Sequence, residues 1–473
     1  MKIALLRATT ALAFASLASC GGDSGGGSPT PPPVSTAPKF TSSSTASVTE
    51  NVATAFYDVT ASDPQGDPIA FAISGGADAG AFVLSQGALR FNIAPNYDLP
   101  SDADRNNVYE VDIRATAGGE TTVLALKVNV TNSREGIVVS RVADSLGEIV
   151  GASFVHNSDK MFVATADNRI LTIDLKTGAV SENEFVRDNI KPGRILALAW
   201  GFPDYYYQEG IYVLRMAIDG LYVDVYSLGT GATKSSRLGD ATDEPVQASM
   251  IMQGSMFIAV GDLNNSVAQN ADTPYGKLLE IPQYCVYCFA SIPMAPVTPQ
   301  ARIIGDGVRQ PGGFTPASDF LYLADQGGSR EHDLSIFRPE WRPLDFGWPF
   351  YEGSQPTGSN PPAAIVGPTV VYPYGTNRRE GLGIVAGLLN DSSFFEELGN
   401  NYVFADRNGT VWSIPVPVLR DGFRHGVWDL EDRTEDFVPD EGSLDTPVAF
   451  IAGSGADFYI VDADGEVFRV SGG

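Results

Sequence analysis

The chain has 473 residues, 57 of them acidic and 31 basic, which gives a formal net charge of -26. Such an acidic chain repels phosphate backbones, so nucleic acid is excluded as a natural partner. Only three cysteines occur, too few for a disulfide scaffold.

Residues 1–19 have the pattern of a secretory signal peptide. Lys2 and Arg7 flank the start of an apolar run over residues 8–17, which is too short to cross a bilayer. The segment 17–20 ends at Cys20 and resembles a bacterial lipobox, which implies cleavage and lipid attachment at that cysteine. The alternative is an ordinary signal peptide with an incidental cysteine. We expect an exported protein, lipid-anchored to the bacterial cell envelope on its periplasmic or surface face.

Residues 20–38 consist largely of Gly, Ser, Thr and Pro. This composition offers almost nothing to bury, so the segment is predicted to be an extended linker between the anchor and the folded body.

Residues 39–133 alternate apolar and polar positions in short bursts separated by Gly, Pro and Asp. This period of two predicts a β-sandwich of about seven antiparallel strands. Acidic residues at the predicted strand ends resemble the ligand motifs of a cadherin repeat. The resemblance implies Ca²⁺ ligation by Glu50, Asp63, Asp67 and Asp98; the alternative is that they are ordinary turn residues.

Residues 137–473 consist almost wholly of short strands and turns, and similar units recur about every 50–60 residues. This spacing predicts a six-bladed β-propeller. The whole protein is therefore predicted to be all-β, with an N-terminal cadherin-like sandwich followed by the propeller.

Three motifs lie in order within the predicted propeller, at residues 307–311 (GVRQP), 321–333 (LYLADQGGSREHD) and 346–353 (FGWPFYEG). Their types and order resemble the glucose/sorbosone dehydrogenase family, whose members oxidise sugars with pyrroloquinoline quinone (PQQ) and Ca²⁺ and pass the electrons to an acceptor.

The resemblance implies roles for several residues in binding the cofactor. Arg309 would lie beside the quinone, with Gln310 in the position of the family's Asn. The turn Gln326-Gly327-Gly328 would hold Ca²⁺ through backbone carbonyls, Gly327 and Gly328 above all. Arg378 and Arg407 would pair with PQQ carboxylates.

The family's catalytic histidine is not found where the resemblance implies it, near Gln247. The three histidines of the chain are His156, His332 and His425, and all lie in other segments. A carboxylate such as Asp325 or Asp262 is the remaining candidate for the proton-accepting base.

Two functional hypotheses follow. The first is a PQQ-dependent aldose dehydrogenase of the cell envelope. The second is a catalytically inactive propeller that binds carbohydrate or protein at the cell surface, with the cadherin-like domain as a spacer or adhesive module.

Cys285 and Cys288 form a C-x-x-C pair. In an oxidising compartment a small disulfide is the default interpretation, and redox or metal chemistry is the alternative.

Overall fold

The computed structural model describes residues 37–201, 210–264, 267–281, 301–358, 364–391, 398–453 and 455–473. The predictions for the signal peptide, Cys20, most of the linker and the Cys285–Cys288 pair lie outside these residues. Within them, no helix has both the length and the apolar character needed to span a membrane.

The N-terminal domain contains nine strands: β1 (Lys39–Phe40), β2 (Thr45–Thr49), β3 (Tyr57–Asp58), β4 (Ala61–Ser62), β5 (Ala70–Gly75), β6 (Phe82–Ser85), β7 (Ala88–Phe91), β8 (Val108–Ala117) and β9 (Glu120–Thr131). They form a four-stranded sheet in the order β2-β9-β8-β5, a three-stranded sheet β3-β7-β6 and the pair β1-β4. The pair β2-β9 is parallel, whereas an antiparallel arrangement was expected.

Side chains along β8 alternate between the core of the sandwich and its surface. Tyr109, Val111, Ile113 and Ala115 are buried, while the residues between them are exposed or half-buried. Successive side chains of a strand point to opposite faces, so one face of β8 supplies the core and the other faces solvent. Tyr109 packs edge-on against Phe82 and Phe91 from the second sheet.

The C-terminal region begins with β10 (Ile137–Ala143) and continues with β11 (Ile149–Val155), β12 (Lys160–Thr165), β13 (Ile170–Asp174), β14 (Val180–Glu182), β15 (Arg194–Gly201), β16 (Gly210–Ala217), β17 (Gly220–Ser227), β18 (Ala232–Gly239), β19 (Ala248–Gln253), β20 (Ser255–Val260), β21 (Lys277–Ile281) and β22 (Arg302–Asp306). It is completed by β23 (Pro311–Ala317), β24 (Phe320–Asp325), β25 (Glu331–Phe337), β26 (Leu344–Asp345), β27 (Tyr351–Glu352), β28 (Gln355–Pro356), β29 (Val370–Pro373), β30 (Ile384–Asp391), β31 (Asn400–Asp406), β32 (Val411–Pro415), β33 (Glu431–Asp432), β34 (Pro447–Ala452), β35 (Phe458–Asp462) and β36 (Val467–Gly472).

Helices are few and short in the described residues. They are α1 (Glu184–Asn189), α2 (Val416–Leu419) and the 3₁₀ turns Ala79–Ala81 and Val427–Asp429. The side chain of Asn183 caps α1 by accepting the backbone N–H of Val186.

The described strands of this region form six sheets of four or five strands, plus the pair β27-β28. The sheets are β11-β12-β13-β14, β15-β16-β17-β18, β19-β20-β21-β22-β26, β23-β24-β25-β29, β30-β31-β32-β33 and β10-β36-β35-β34. One edge strand of each sheet contacts an edge strand of the next, in the order β11, β15, β19, β23, β30, β34, and β34 contacts β11. The sheets therefore form a closed ring, which β10 fastens by pairing with the C-terminal strand β36.

The closed ring brings the loops before its innermost strands together. The strands β19, β23 and β30 are innermost in consecutive sheets, and each is entered from the same end of the ring. Residues directly before these strands, such as Gln247, Gln310 and Gly383, therefore gather at one end near the centre, which is where propellers bind ligands.

Candidate functional site

The backbone at Arg309 and Gln310 is fixed by one buried carboxylate. Asp325, the last residue of β24, accepts the N–H of Arg309 (2.8 Å) and the N–H of Gln310 (2.5 Å). Burial raises the pKa of Asp325 to about 6, and these two N–H bonds offset part of that rise. Because its oxygens are engaged in holding the loop, Asp325 serves as a positioning residue here.

The Arg309 side chain lies across the turn that follows β24. Its Nη1 donates to the carbonyl of Gln326 (2.7 Å), and its guanidinium lies 5.1 Å from the centre of the Trp348 ring. A Cβ added to Gly328 would lie 2.0 Å from Arg309 Nη2, so only glycine leaves room for this placement. The Nε of Arg309 is buried and has no hydrogen-bond partner among the described residues.

Gln247 lies beside Gln310, the residue that follows Arg309 in the chain. Its Oε1 accepts a hydrogen bond from Nε2 of Gln310 (2.6 Å). We call the group Gln247, Arg309, Gln310 and the turn 326–328 the Arg309 site. At the position where the resemblance implies a histidine, the site holds a pair of neutral amides.

Arg407 borders the Arg309 site. Its backbone N–H donates to the carbonyl of Gly383 (2.9 Å), and a Cβ added to Gly383 would contact both Gln326 and the Arg407 side chain. Gln326 itself is buried, and its Nε2 donates to the carbonyl of Ile384 (3.1 Å).

Arg378 is not part of this site, which corrects the expectation that it would pair with a cofactor there. Its Nη1 donates to the carbonyl of Arg105 in the sandwich (2.9 Å). The next residue, Arg379, donates to the carbonyls of Asp98, Val427 and Leu430, each at 2.8 Å. Both arginines therefore bind the junction between the domains.

The histidines do not supply a base at Gln247. His332 is fully buried; its Nδ1 accepts the N–H of Gly327 (3.0 Å) and its Nε2 lies 3.0 Å from the carbonyl of Gly381. Burial lowers the pKa of His332, so the ring is neutral and supports the turn through its hydrogen bonds. His156 is exposed beside Trp200, and His425 contacts Asp421.

The remaining carboxylate candidate, Asp262, is also engaged. Its N–H donates to the carbonyl of Arg309 (2.9 Å), and its carboxylate accepts the N–H of Val267 (2.8 Å). Its carbonyl accepts the indole N–H of Trp348 (2.8 Å), which holds the ring beneath Arg309.

Glu352 is a residue of the candidate site that sequence reasoning missed. Its Oε1 accepts the N–H groups of Gly328, Ser329 and Arg330 at 2.7–2.8 Å and thereby shapes the turn against which Arg309 lies. Burial alone would raise the pKa of Glu352, but these N–H groups outweigh it and lower the pKa. The available signal was its place in the 346–353 motif.

The four predicted cadherin-like ligands do not form one site. Asp67 lies against Gly118, at the turn that joins β8 to β9, and Asp63 accepts the N–H of Asp67. Asp98 lies at the other end of β8, on the order of 30 Å away for a strand of this length. Asp63 and Asp67 are thus turn residues, which corrects the predicted set.

The other two predicted ligands, Glu50 and Asp98, lie at the junction between sandwich and propeller. Glu50 accepts the N–H groups of Tyr97 (2.8 Å) and Ser133 (2.9 Å). Asp98 contacts the guanidinium of Arg433, which comes from the propeller.

Arg433 lies among three acidic residues at this junction. Asp98, Glu135 and Asp436 have carboxylate oxygens close enough together to hold an ion. Nη1 of Arg433 lies 2.6 Å from Asp98 and 3.2 Å from Asp436, and it also bonds to Glu135. We call these four residues the Arg433 clasp.

PQQ and Ca²⁺ do not fit the Arg309 site as it stands. The carbonyl of Gln326, one of those implied to bind Ca²⁺, accepts a hydrogen bond from a guanidinium, and that positive charge repels a second cation at the same turn. Arg378, one of the arginines implied to bind the tricarboxylate, is bonded to the sandwich instead.

Comparison with solved structures identifies the class of the ring. The soluble aldose sugar dehydrogenase of Escherichia coli, determined in the apo form, matches 71% of this chain and 100% of its own at 15% identity, with a TM-score of 0.52. Two glucose dehydrogenase structures match the same share of the chain at 16% and 15% identity, each with a TM-score of 0.50. The ring is therefore a β-propeller with the fold of these sugar dehydrogenases.

No protein-family model matches the sequence of this chain, and no curated protein matches it either.

Proposed function

We propose that this protein is an exported propeller, tethered to the cell envelope, that binds an aldose at the Arg309 site without oxidising it. The observation that carries the proposal is the hydrogen bond between Gln247 and Gln310 next to Arg309. An amide pair can accept and donate hydrogen bonds to hydroxyl groups, but it cannot take up a proton near neutral pH.

Oxidation of a sugar hydroxyl by hydride transfer requires a group that removes its proton. The titratable candidates around the site, Asp325, Asp262 and His332, each have their polar atoms engaged in holding loops. Oxidation with PQQ, the activity implied by the family resemblance, is therefore the alternative that the assays must exclude.

An aldose is favoured as the ligand for two reasons. Structures with the same fold are described as aldose and glucose dehydrogenases. The Arg309 site also offers what a sugar ring needs: amide donors and acceptors on Gln247 and Gln310, and the partly buried guanidinium of Arg309.

The wider architecture is part of the same proposal. The six sheets would be the six blades, and the N-terminal sandwich would be a cadherin-like module attached through the linker to a lipidated Cys20. In this arrangement the membrane is reached through the lipid anchor, and the sandwich is available for a surface protein or glycan partner.

Replacement of Arg309 by alanine is expected to weaken glucose binding roughly tenfold or more, because a hydrogen bond to a charged group contributes about 1.5–3 kcal/mol. Titration calorimetry with glucose on the mature chain measures this effect. Arg424→Ala removes an exposed arginine outside the site and is expected to leave affinity unchanged. Equal affinity of wild type and Arg309→Ala, or no glucose binding by wild type, would refute the proposal.

A further inference from the structure

A polar cleft separates the sandwich from the propeller, distinct from the Arg309 site. It is lined by residues 97–98 and 106–107 of the sandwich and by the propeller segments 376–380, 408–412 and 432–435. Its volume of about 600 Å³ lies within the range of small-molecule sites, which often form between domains. We call this space the interdomain cleft.

Contacts on either side of the cleft hold its walls at a fixed separation. The Arg433 clasp joins the domains at its base through carboxylates from both. The side chain of Asn96 donates to Glu431 (3.1 Å), and the hydroxyl of Tyr97 donates to Glu435 (3.1 Å). A cleft with fixed walls loses little conformational freedom when a ligand binds.

The lining is suited to hydroxyl groups. It contains four asparagines and three threonines, together with carboxylates and two arginines, and no aliphatic side chain. Carboxamides carry both donors and acceptors, as the neighbouring hydroxyls of a sugar do. The half-buried ring of Tyr97 adds one aromatic surface.

Four buried residues of the lining carry polar atoms with no hydrogen-bond partner among the described residues. These atoms are Oδ1 of Asp98, Oδ1 of Asn107, Nε of Arg379 and Nε1 of Trp412. Native proteins satisfy nearly all such atoms. Their concentration beside one cleft shows that the chain's own groups leave hydrogen-bonding capacity unused there.

The charge of the lining narrows the class of ligand. Burial raises the pKa of Asp98 to about 8, and the other three acidic residues of the lining, Glu380, Asp432 and Glu435, still outnumber its two arginines. An anionic ligand would therefore be repelled. We propose that the interdomain cleft is a second binding site and that it takes a neutral oligosaccharide.

The test is titration calorimetry of the mature chain with maltohexaose and with cellohexaose as neutral probes. Thr376 is exposed in the lining and makes no side-chain hydrogen bond with described residues, so Thr376→Trp fills the cleft with little expected effect on folding. Wild type is expected to bind at least one probe, and Thr376→Trp to weaken that binding tenfold or more. The matched control is Thr233→Trp, at an exposed position on β18, which is expected to bind like wild type.

Arg309→Ala separates this proposal from the previous one, because it is expected to lose glucose binding and retain binding of the hexasaccharide. Failure of wild type to bind either neutral probe, or equal affinity in Thr376→Trp, would overturn the second site. Tighter binding of hexagalacturonate or of a lysine-rich peptide than of both neutral probes would contradict the assigned ligand class.

Discussion

Replacing Arg433 with alanine is expected to lower the free energy of unfolding by about 3–5 kcal/mol, the usual cost of removing one partner of a buried ion pair. The Arg433 side chain is only 4% exposed, and its removal leaves the carboxyl groups of Asp98, Glu135 and Asp436 facing one another without a cation. Because burial raises the pKa of Asp98 to about 8, the ion pair that is broken at pH 7 is the one with Glu135 and Asp436. Urea-induced unfolding followed by circular dichroism at pH 7 measures the loss.

Calcium provides a second readout for the same variant. Because the guanidinium fills the space between the carboxylates in wild type, chelation with EDTA is expected to leave wild-type unfolding unchanged. In Arg433→Ala the same three carboxylates become available as oxygen ligands, so millimolar Ca²⁺ is expected to restore part of the lost stability. A loss below about 1 kcal/mol, or a wild type destabilised by EDTA, would contradict the role assigned to the clasp.

The stability of wild type is expected to fall as pH rises through about 8, because of Asp98. Burial raises the pKa of Asp98 to about 8, with Asp436 and Glu50 adding to the rise and Arg433 offsetting part of it. In the unfolded chain the pKa returns to its ordinary value near 4. The folded protein therefore holds a proton that the unfolded chain lacks, and this contribution to stability is full below pH 4 and lost as pH rises through about 8.

Asp98→Asn isolates this effect, since the amide resembles the protonated acid and does not ionise. The measurement compares urea unfolding of wild type and variant at intervals from pH 5 to pH 9. We expect the stability of wild type to decline relative to the variant across this window. A wild type that gains on the variant as pH rises would show that Asp98 is stabilised as an anion and would refute the assignment.

The all-β class and the propeller fold could be predicted because they follow from local patterns. Every second residue of strand β8 is buried, and the ordered motifs around Arg309 flank the neighbouring strands β23, β24 and β25. The Arg309–Gln310 segment and the 326–328 turn also come together as the motifs imply, because they precede and follow adjacent strands of one sheet.

The contacts between domains could not be predicted in the same way. Arg433 and Asp98 are 335 positions apart, and no local pattern distinguishes Arg433 from the other arginines on loops. The resemblance implied a cofactor contact for Arg378 because of its position in a loop. In the structure its side chain instead points to the sandwich, where it donates to the carbonyl of Arg105. In each case the partner belongs to a domain whose orientation the sequence does not encode locally.

An arginine lies beside the 326–328 turn and another beside Asp98, two of the places where the resemblances implied calcium ligands. Arg309 donates to the carbonyl of the 326–328 turn, and Arg433 lies among the junction carboxylates. A guanidinium is permanently charged and carries several hydrogen-bond donors in a fixed plane. It therefore provides a positive charge that does not depend on the availability of a metal ion.

The most direct test of the central claim is a dye-reduction assay on wild type incubated with PQQ and Ca²⁺ and offered glucose and other aldoses. The account predicts glucose binding by calorimetry and no dye reduction above the rate of a protein-free control. Steady, aldose-dependent reduction of the dye by wild type would contradict it, because the Gln247–Gln310 pair would then lie in a catalytic centre with a base that the structure does not provide.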